Sequence, residues 1–216
     1  MDKRLVDALG SLELDYDKSQ LGALSLYLSE IEFWNPTYKL IAADHEGIIY
    51  RHILDSLAPL AILEEVLSSV EGNSLADLGS GNGMPGIPLS IMLPSSCFTL
   101  IERSGRRAGF LRNALAVTSL SGRVSIIEED ITSVRQQFDM LLFRAFRPLK
   151  EVFSLLDSLL LPGGVMFAYK GQLKQVEEEI AGISDLLEGR FQVENRPYKV
   201  PGLDAERTIC LISKLR

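Results

Sequence analysis

The segment Leu75-Ala76-Asp77-Leu78-Gly79-Ser80-Gly81-Asn82-Gly83 constrains the chain more than any other. A short apolar run ends in three spaced glycines, and an apolar helical stretch begins near Pro85. Glycines at such a turn let the backbone reverse sharply and approach a ligand without Cβ clashes. The arrangement needs a strand before the loop and a helix after it, so the unit around it is βαβ.

The rest of the chain after Leu75 has the matching texture, with short apolar runs separated by helical segments around a mainly parallel sheet. Strands are predicted near Ser74–Leu78, Cys97–Ile101, Val124–Glu128, Phe138–Phe143, Val165–Tyr169, Phe191–Lys199 and Thr208–Ser213. The last two lie close enough to form an antiparallel hairpin. Leu161-Pro162-Gly163-Gly164 reads as a turn feeding the fifth strand, because glycine accepts positive φ and proline cannot continue a helix. Gln172 to Leu187 reads as one exposed helix with Glu177-Glu178-Glu179 on its solvated face. Before Val70 the periodicity is helical throughout: Leu21, Leu24, Leu28 and Ile31 share a face, and Ile48 to Val66 repeat the pattern. Asn35-Pro36 is predicted to break the first long helix. The expectation is an α/β fold, a seven-stranded, mostly parallel sheet over residues 71–216 in one compact unit, with an N-terminal helical extension over 1–70.

A length of 216 residues suits one such domain and no second catalytic one. No apolar stretch is long enough to span a bilayer, and the start of the chain, Met1 to Asp7, lacks the uninterrupted apolar core of a secretory signal. We therefore expect a cytoplasmic protein with no membrane partner. Cys97 and Cys210 lie in apolar runs and are expected to be buried, with neither a disulfide nor a metal. The net charge of −7 disfavours nucleic acid unless cations gather locally. They do gather, at Arg103, Arg106, Arg107 and Arg112 and again at Arg144, Arg147 and Lys150.

The nature of the ligand can be narrowed. Gly81-Asn82-Gly83-Met84-Pro85-Gly86 fits the dinucleotide-binding pattern in letters. Asp77, however, stands just before the first glycine, where it would repel a pyrophosphate and suit the cationic methionine end of S-adenosyl-L-methionine. Glu102 closes the second strand, where an acidic side chain accepts hydrogen bonds from a ribose diol. This favours a class I (Rossmann-like) methyltransferase over the alternative, an NAD-dependent oxidoreductase.

Further motifs are more specific. Gly83-Met84-Pro85-Gly86-Ile87-Pro88-Leu89, Arg51-His52-Ile53-Leu54-Asp55-Ser56-Leu57, Phe143-Arg144-Ala145-Phe146, Tyr169-Lys170-Gly171 and Pro201-Gly202-Leu203-Asp204-Ala205-Glu206-Arg207 occur together. With them nearly the whole chain resembles the RsmG (GidB) family of bacterial 16S rRNA guanine-N7 methyltransferases. The resemblance implies methyl transfer from S-adenosyl-L-methionine to N7 of one guanine in the decoding region of the small ribosomal subunit. It also implies cofactor contacts at Gly79, Met84, Arg144 and the Ile131-Thr132 segment; Asp77, Gly81 and Glu102 are added from the loop itself, and Asp130 is the candidate for the adenine amino group. Three places depart from the family pattern: Lys39-Leu40-Ile41 stands for Asn-Leu-Thr, Phe143 for Ser, and Asn82 for Pro.

Guanine N7 carries a lone pair and loses no proton on methylation, so no general base and no metal are required. The protein must align the base and stabilise the charge that appears on it. Arg144 and Lys170, at the ends of the fourth and fifth strands, are the catalytic candidates. Arg51, His52, Arg103, Arg106, Arg107 and Arg207 are the candidates for contacts to RNA, although Arg51 and Asp55 can also pair on one helix face. The expected partner is 16S rRNA or the small subunit, bound by a monomer through shape and with the target base extruded. A third reading is a catalytically silent ribosome-binding factor on the same fold.

Overall fold

The computed structural model describes residues 2–216; Met1, the first residue of the expected extension, lies outside them. The chain opens with helices α1 (Lys3–Gly10) and α2 (Lys18–Tyr38). A capping box starts α2, with Asp17 accepting from the Gln20 amide and Gln20 reaching back to the Asp17 amide. Contrary to expectation α2 runs past Asn35-Pro36. The proline falls in the last turn, and the Asn35 side chain bridges the following link with two 2.9 Å hydrogen bonds to the main chain of Ile41. Those bonds use the main chain of Ile41, so its side chain leaves them intact, and Lys39 caps α2 at φ +48°.

A helical stretch follows in three parts: α3 (His45–Ile48), a π-helical segment (Ile49–Leu54) and α4 (Asp55–Leu57). The wider π turn changes the angular phase of the helix. Arg51 consequently pairs with Asp44 at 3.6 Å, and Asp55 turns toward the sheet, so the Arg51–Asp55 pair that one helix face would allow does not form. Helix α5 (Leu60–Ser69) leads to the first strand.

Among the described residues seven strands form one sheet, β1 (Ser74–Leu78), β2 (Cys97–Ile101), β3 (Val124–Ile127), β4 (Phe138–Arg144), β5 (Leu160–Lys170), β6 (Phe191–Tyr198) and β7 (Arg207–Lys214). Their order is β3-β2-β1-β4-β5-β7-β6, parallel except for β7, which runs antiparallel to both β5 and β6. The expected terminal hairpin is present. Helices α6 (Gly86–Met92), α7 (Gly105–Val117), α8 (Leu149–Leu159), α9 (Leu173–Ala181) and α10 (Ser184–Leu187) complete the layers. Leu161-Pro162-Gly163-Gly164 falls within the span of β5 instead of preceding it. The register moves there from Phe138 opposite Leu160 to Met140 opposite Val165, a bulge with Gly163 at φ +77°.

Alternate strand residues feed two cores, as the pleat requires. Leu75, Leu100, Leu142 and Phe167 pack with the helices of the N-terminal part, while Ala76, Leu141, Met166 and Ile212 pack beneath α8 to α10. Cys210 is buried, but Cys97 is exposed, because it is the first residue of β2 at the sheet's outer rim.

Candidate active site

The glycine loop is shaped by hydrogen bonds that its sequence permits. The amides of Gly79 and Ser80 both donate to the Ile101 carbonyl, at 2.9 and 3.0 Å, which folds the loop over the end of β2. Gly79, Gly81 and Gly83 have φ of +69°, +59° and +90°, conformations that side chains with a Cβ rarely adopt. From outside the loop, the hydroxyl of fully buried Tyr27 donates to the Asn82 carbonyl at 2.6 Å. Glu102 holds the loop from β2, its carboxylate accepting from the Gly81 amide at 2.9 Å and the Ser104 amide at 2.8 Å.

Asp77 is turned inward. Its carboxylate is 1% exposed, accepts from the Gly86 amide at 3.1 Å, and is pushed up to about 6 by burial, against the opposing effects of that hydrogen bond and of Arg144. It lines neither of the two cavities that hold the expected site residues, and neither do Gly81, Met84, Thr132 or Arg106.

The smaller cavity, 310 Å³, is bounded by Gly79, Glu102, Asp130 and Ile131, with Arg103 and Arg107 at its rim. Asp130 caps the short turn Ile131–Ser133 by accepting from the Thr132 amide at 3.1 Å and hydroxyl at 2.9 Å, and pairs with Arg103 at 3.3 Å. These contacts, the Thr132 amide first, hold the Asp130 carboxyl below its ordinary range. Arg112 does not line the cavity and pairs with Glu128.

The larger cavity, 760 Å³, holds Arg51, His52, Arg144, Lys170 and Arg207, so most of the expected catalytic and RNA-facing cations converge. Its floor is Asp55, whose side chain is 6% exposed. Asp55 accepts from Arg207 Nε at 2.8 Å, Tyr198 Oη at 3.3 Å and Arg144 Nη1 at 3.4 Å. A buried carboxylate with two guanidiniums and a phenol fixes where those groups point. His52 Nδ1 lies 3.4 Å from Arg144 Nη2, and burial, reinforced by Arg144, lowers its imidazole to about 4, so the ring is neutral near pH 7. Lys170 Nζ is 2.5 Å from Glu179, which also accepts from the Leu149 amide at 2.7 Å. The Glu177 to Glu179 run is therefore not wholly solvated: Glu179 faces the cavity, and Gly182 divides the expected single helix into α9 and α10.

Ala145 and Phe146 line both cavities. The Phe146 ring stands 3.3 Å from the position that a Cβ on Gly79 would take, and 6.0 Å from the Phe143 ring. Four contributors were not legible as site residues: Tyr27, Asp55 as an anchor, Phe146 and Glu179. Two had a local signal: Phe146 follows the strand-ending Arg144 by two residues, and Asp55 lies in the Arg51 to Leu57 motif. Among the described residues no group of three or more His, Cys, Asp or Glu side chains is placed to hold a metal ion, and no helix is long and apolar enough to cross a membrane.

Comparison with known proteins gives consistent findings. Residues 20–202 match a family model described as GidB, rRNA small subunit methyltransferase G. A protein of Polynucleobacter asymbioticus named Ribosomal RNA small subunit methyltransferase G is 32% identical over 216 residues, covering 97% of this chain and 95% of its own length. One of the same name from Xanthomonas campestris pv. campestris is 36% identical over 212 residues, covering 97% and 93%. Among solved structures, the tRNA (m1A58) methyltransferase TrmI from Aquifex aeolicus superposes with a TM-score of 0.55 at 13% identity, over 73% of this chain and 69% of that one. That likeness concerns the fold alone, the Rossmann-like sheet of class I methyltransferases.

Proposed function

Because the chain belongs to the rRNA small subunit methyltransferase G family, we propose that it methylates N7 of a guanine in small-subunit rRNA with S-adenosyl-L-methionine as donor. The observation that carries this reading is the adjacency of a nucleoside-sized cavity beside the glycine loop and a larger cationic cavity, with Ala145 and Phe146 common to both.

The residues present fit the donor. Gly79 leaves a backbone cradle that a Cβ would crowd, Glu102 offers its remaining lone pairs to ribose hydroxyls, and Asp130 with Ile131 suits an adenine edge. The NAD alternative is disfavoured at a specific place. Gly86, at the start of α6, already gives its amide to the Asp77 carboxylate, which sets a negative charge where a pyrophosphate would need a free helix terminus.

When bound, S-adenosyl-L-methionine supplies a sulfonium methyl that is taken by the N7 lone pair, the electrons of the broken carbon–sulfur bond remaining on sulfur and the positive charge passing to the purine. No proton leaves the base, and neutral His52 is not needed to accept one. Arg144, steadied by Asp55, has guanidinium hydrogens left for the guanine or the donor's carboxylate. Asp55 and Glu179 place negative charge around the cavity in which the cation forms. Arg51, Arg107 and Arg207 serve phosphate contacts around the opening. The helices of residues 1–70 act as a support for the domain of 71–216, since Tyr27 and Asp55 reach the loop and the cations from that side.

Isothermal titration separates the readings. We expect heat with S-adenosyl-L-methionine and none with NAD; heat with NAD alone would overturn the assignment.

A further inference from the structure

We propose that the Lys170–Glu179 pair reads the Watson–Crick edge of the target guanine, a specificity role that rests on the methyl-transfer reading above. Guanine presents an acceptor, O6, beside two donors, N1–H and the N2 amino group. The complementary surface is a donor beside two acceptors. Lys170 Nζ and the two carboxylate oxygens of Glu179 provide that row at one wall of the 760 Å³ cavity.

The wall's two carboxylates differ in what they have left to offer. Asp55 is 6% exposed and three of its four acceptor positions are taken by Arg144, Tyr198 and Arg207, so burial and these partners leave it little to offer a ligand. Glu179 is 23% exposed, and each of its oxygens has a single partner: Leu149 N on Oε1 and Lys170 Nζ on Oε2. A carboxylate oxygen accepts two hydrogen bonds, so one acceptor position remains on each. Those internal partners also hold the carboxylate in place before the base arrives.

Strand order gives the base its orientation. Lys170 ends β5, Arg144 ends β4, and β4 lies beside β1, whose loop bounds the smaller cavity. Two strand spacings separate the ends of β1 and β5, about 10 Å. A purine whose Watson–Crick edge meets Glu179 turns its opposite side, which carries N7, toward β4 and the glycine loop. The anionic Glu179 then faces N1–H of a base that gains positive charge, an interaction stronger in the transition state than before it. Adenine presents an acceptor at N1 and would set it against the carboxylate, which is a basis for rejecting it.

The test replaces the methylated guanosine, once mapped, by inosine in ligated small-subunit RNA. Inosine keeps N7, O6 and N1–H and lacks the N2 amino group. We expect the wild-type enzyme to lose about 10- to 100-fold in kcat/KM on the inosine RNA, the effect of one hydrogen bond to a charged group. Glu179→Gln should be slower on guanosine RNA and discriminate between the two RNAs by less than about 3-fold, since the Gln amide offers one acceptor. RNA affinity measured by filter binding, with thermal melting of the variant, separates lost recognition from lost folding. A variant that is slower on both RNAs with undiminished discrimination, or a wild-type enzyme indifferent to inosine, overturns the proposal while leaving methyl transfer standing. Absence of transfer to either RNA by the wild-type enzyme overturns both.

Discussion

Tyr27 in α2 and Asn82 in the glycine loop, 55 residues apart, are joined by a 2.6 Å hydrogen bond from the tyrosine hydroxyl to the asparagine carbonyl. The phenol is fully buried, while Asn82 is half-buried at the loop. Tyr27→Phe should lower the unfolding free energy by about 1–2 kcal/mol and weaken donor binding several-fold, because the loop carbonyl loses its partner. Denaturant titration and calorimetry read the two effects. Unchanged donor affinity alongside reduced stability would detach the loop's shape from α2.

Asp55 makes a similar long-range connection, to Arg207 152 residues away. Asp55→Ala leaves two guanidiniums without their shared counter-charge in a largely buried site, which should cost about 3 kcal/mol of stability. Asp55→Asn keeps the acceptor and should cost less, yet still reduce kcat/KM for RNA about 10-fold by loosening Arg144 and Arg207. Donor affinity should change far less than RNA turnover. Equal losses in both would make Asp55 a folding residue only.

Asp77 should show a conflict between stability and function. Its native pKa of about 6 exceeds the ordinary 3.8, so the folded protein binds the extra proton between those values, and stability falls as pH rises from 3.8 to 6. Asp77→Asn retains an acceptor for the Gly86 amide and removes the buried charge. At pH 7 it should raise stability by about 2 kcal/mol and, since Asp77 lines neither cavity, reduce affinity for the cationic donor only through the loss of a nearby negative charge. Melting and calorimetry at pH 5 and pH 7 test this, and the stability gain should shrink at the lower pH.

The two histidines should titrate in opposite directions. His45 lies between Glu32 at 2.6 Å and Asp2 at 3.0 Å, and the Glu32 hydrogen bond raises it above the ordinary 6.5. Its contribution to stability is present below pH 6.5 and is lost as pH rises through the folded value. His52 is lowered to about 4, so the unfolded chain takes up a proton that the native ring refuses, and stability is lost as pH falls from 6.5 to 4. Imidazole NMR titration resolves both, with His52→Gln abolishing the acid-side response and His45→Gln the alkaline one.

Features fixed by local pattern were legible in the sequence, and those fixed by distant contacts were not. Strands β1 and β2 matched residue for residue, because apolar runs and flanking turn residues define a buried strand locally. Gly79, Glu102, Asp130 and Ile131 could be placed around one cavity because the ends of β1, β2 and β3 must lie side by side in a parallel sheet. The Arg51–Asp55 pairing that their spacing allows on an α-helical face does not occur, because Arg51 lies within a π segment that ends just before Asp55. Glu179 reads as part of a solvated charge run in the sequence because its partners, Lys170 and the Leu149 amide, come from other elements. Cys97 showed the limit of hydropathy at a strand end, where the pattern persists but cover does not.

Methyl transfer to guanine N7 in small-subunit rRNA can be measured directly. The direct measurement is incubation of the enzyme with methyl-labelled S-adenosyl-L-methionine and small subunits from cells lacking it, followed by digestion of the rRNA and chromatography of the nucleosides. The label should co-elute with 7-methylguanosine from a single rRNA position. Label in any other nucleoside, or none in the rRNA of subunits known to lack the modification, would rule out guanine N7 as the methyl acceptor.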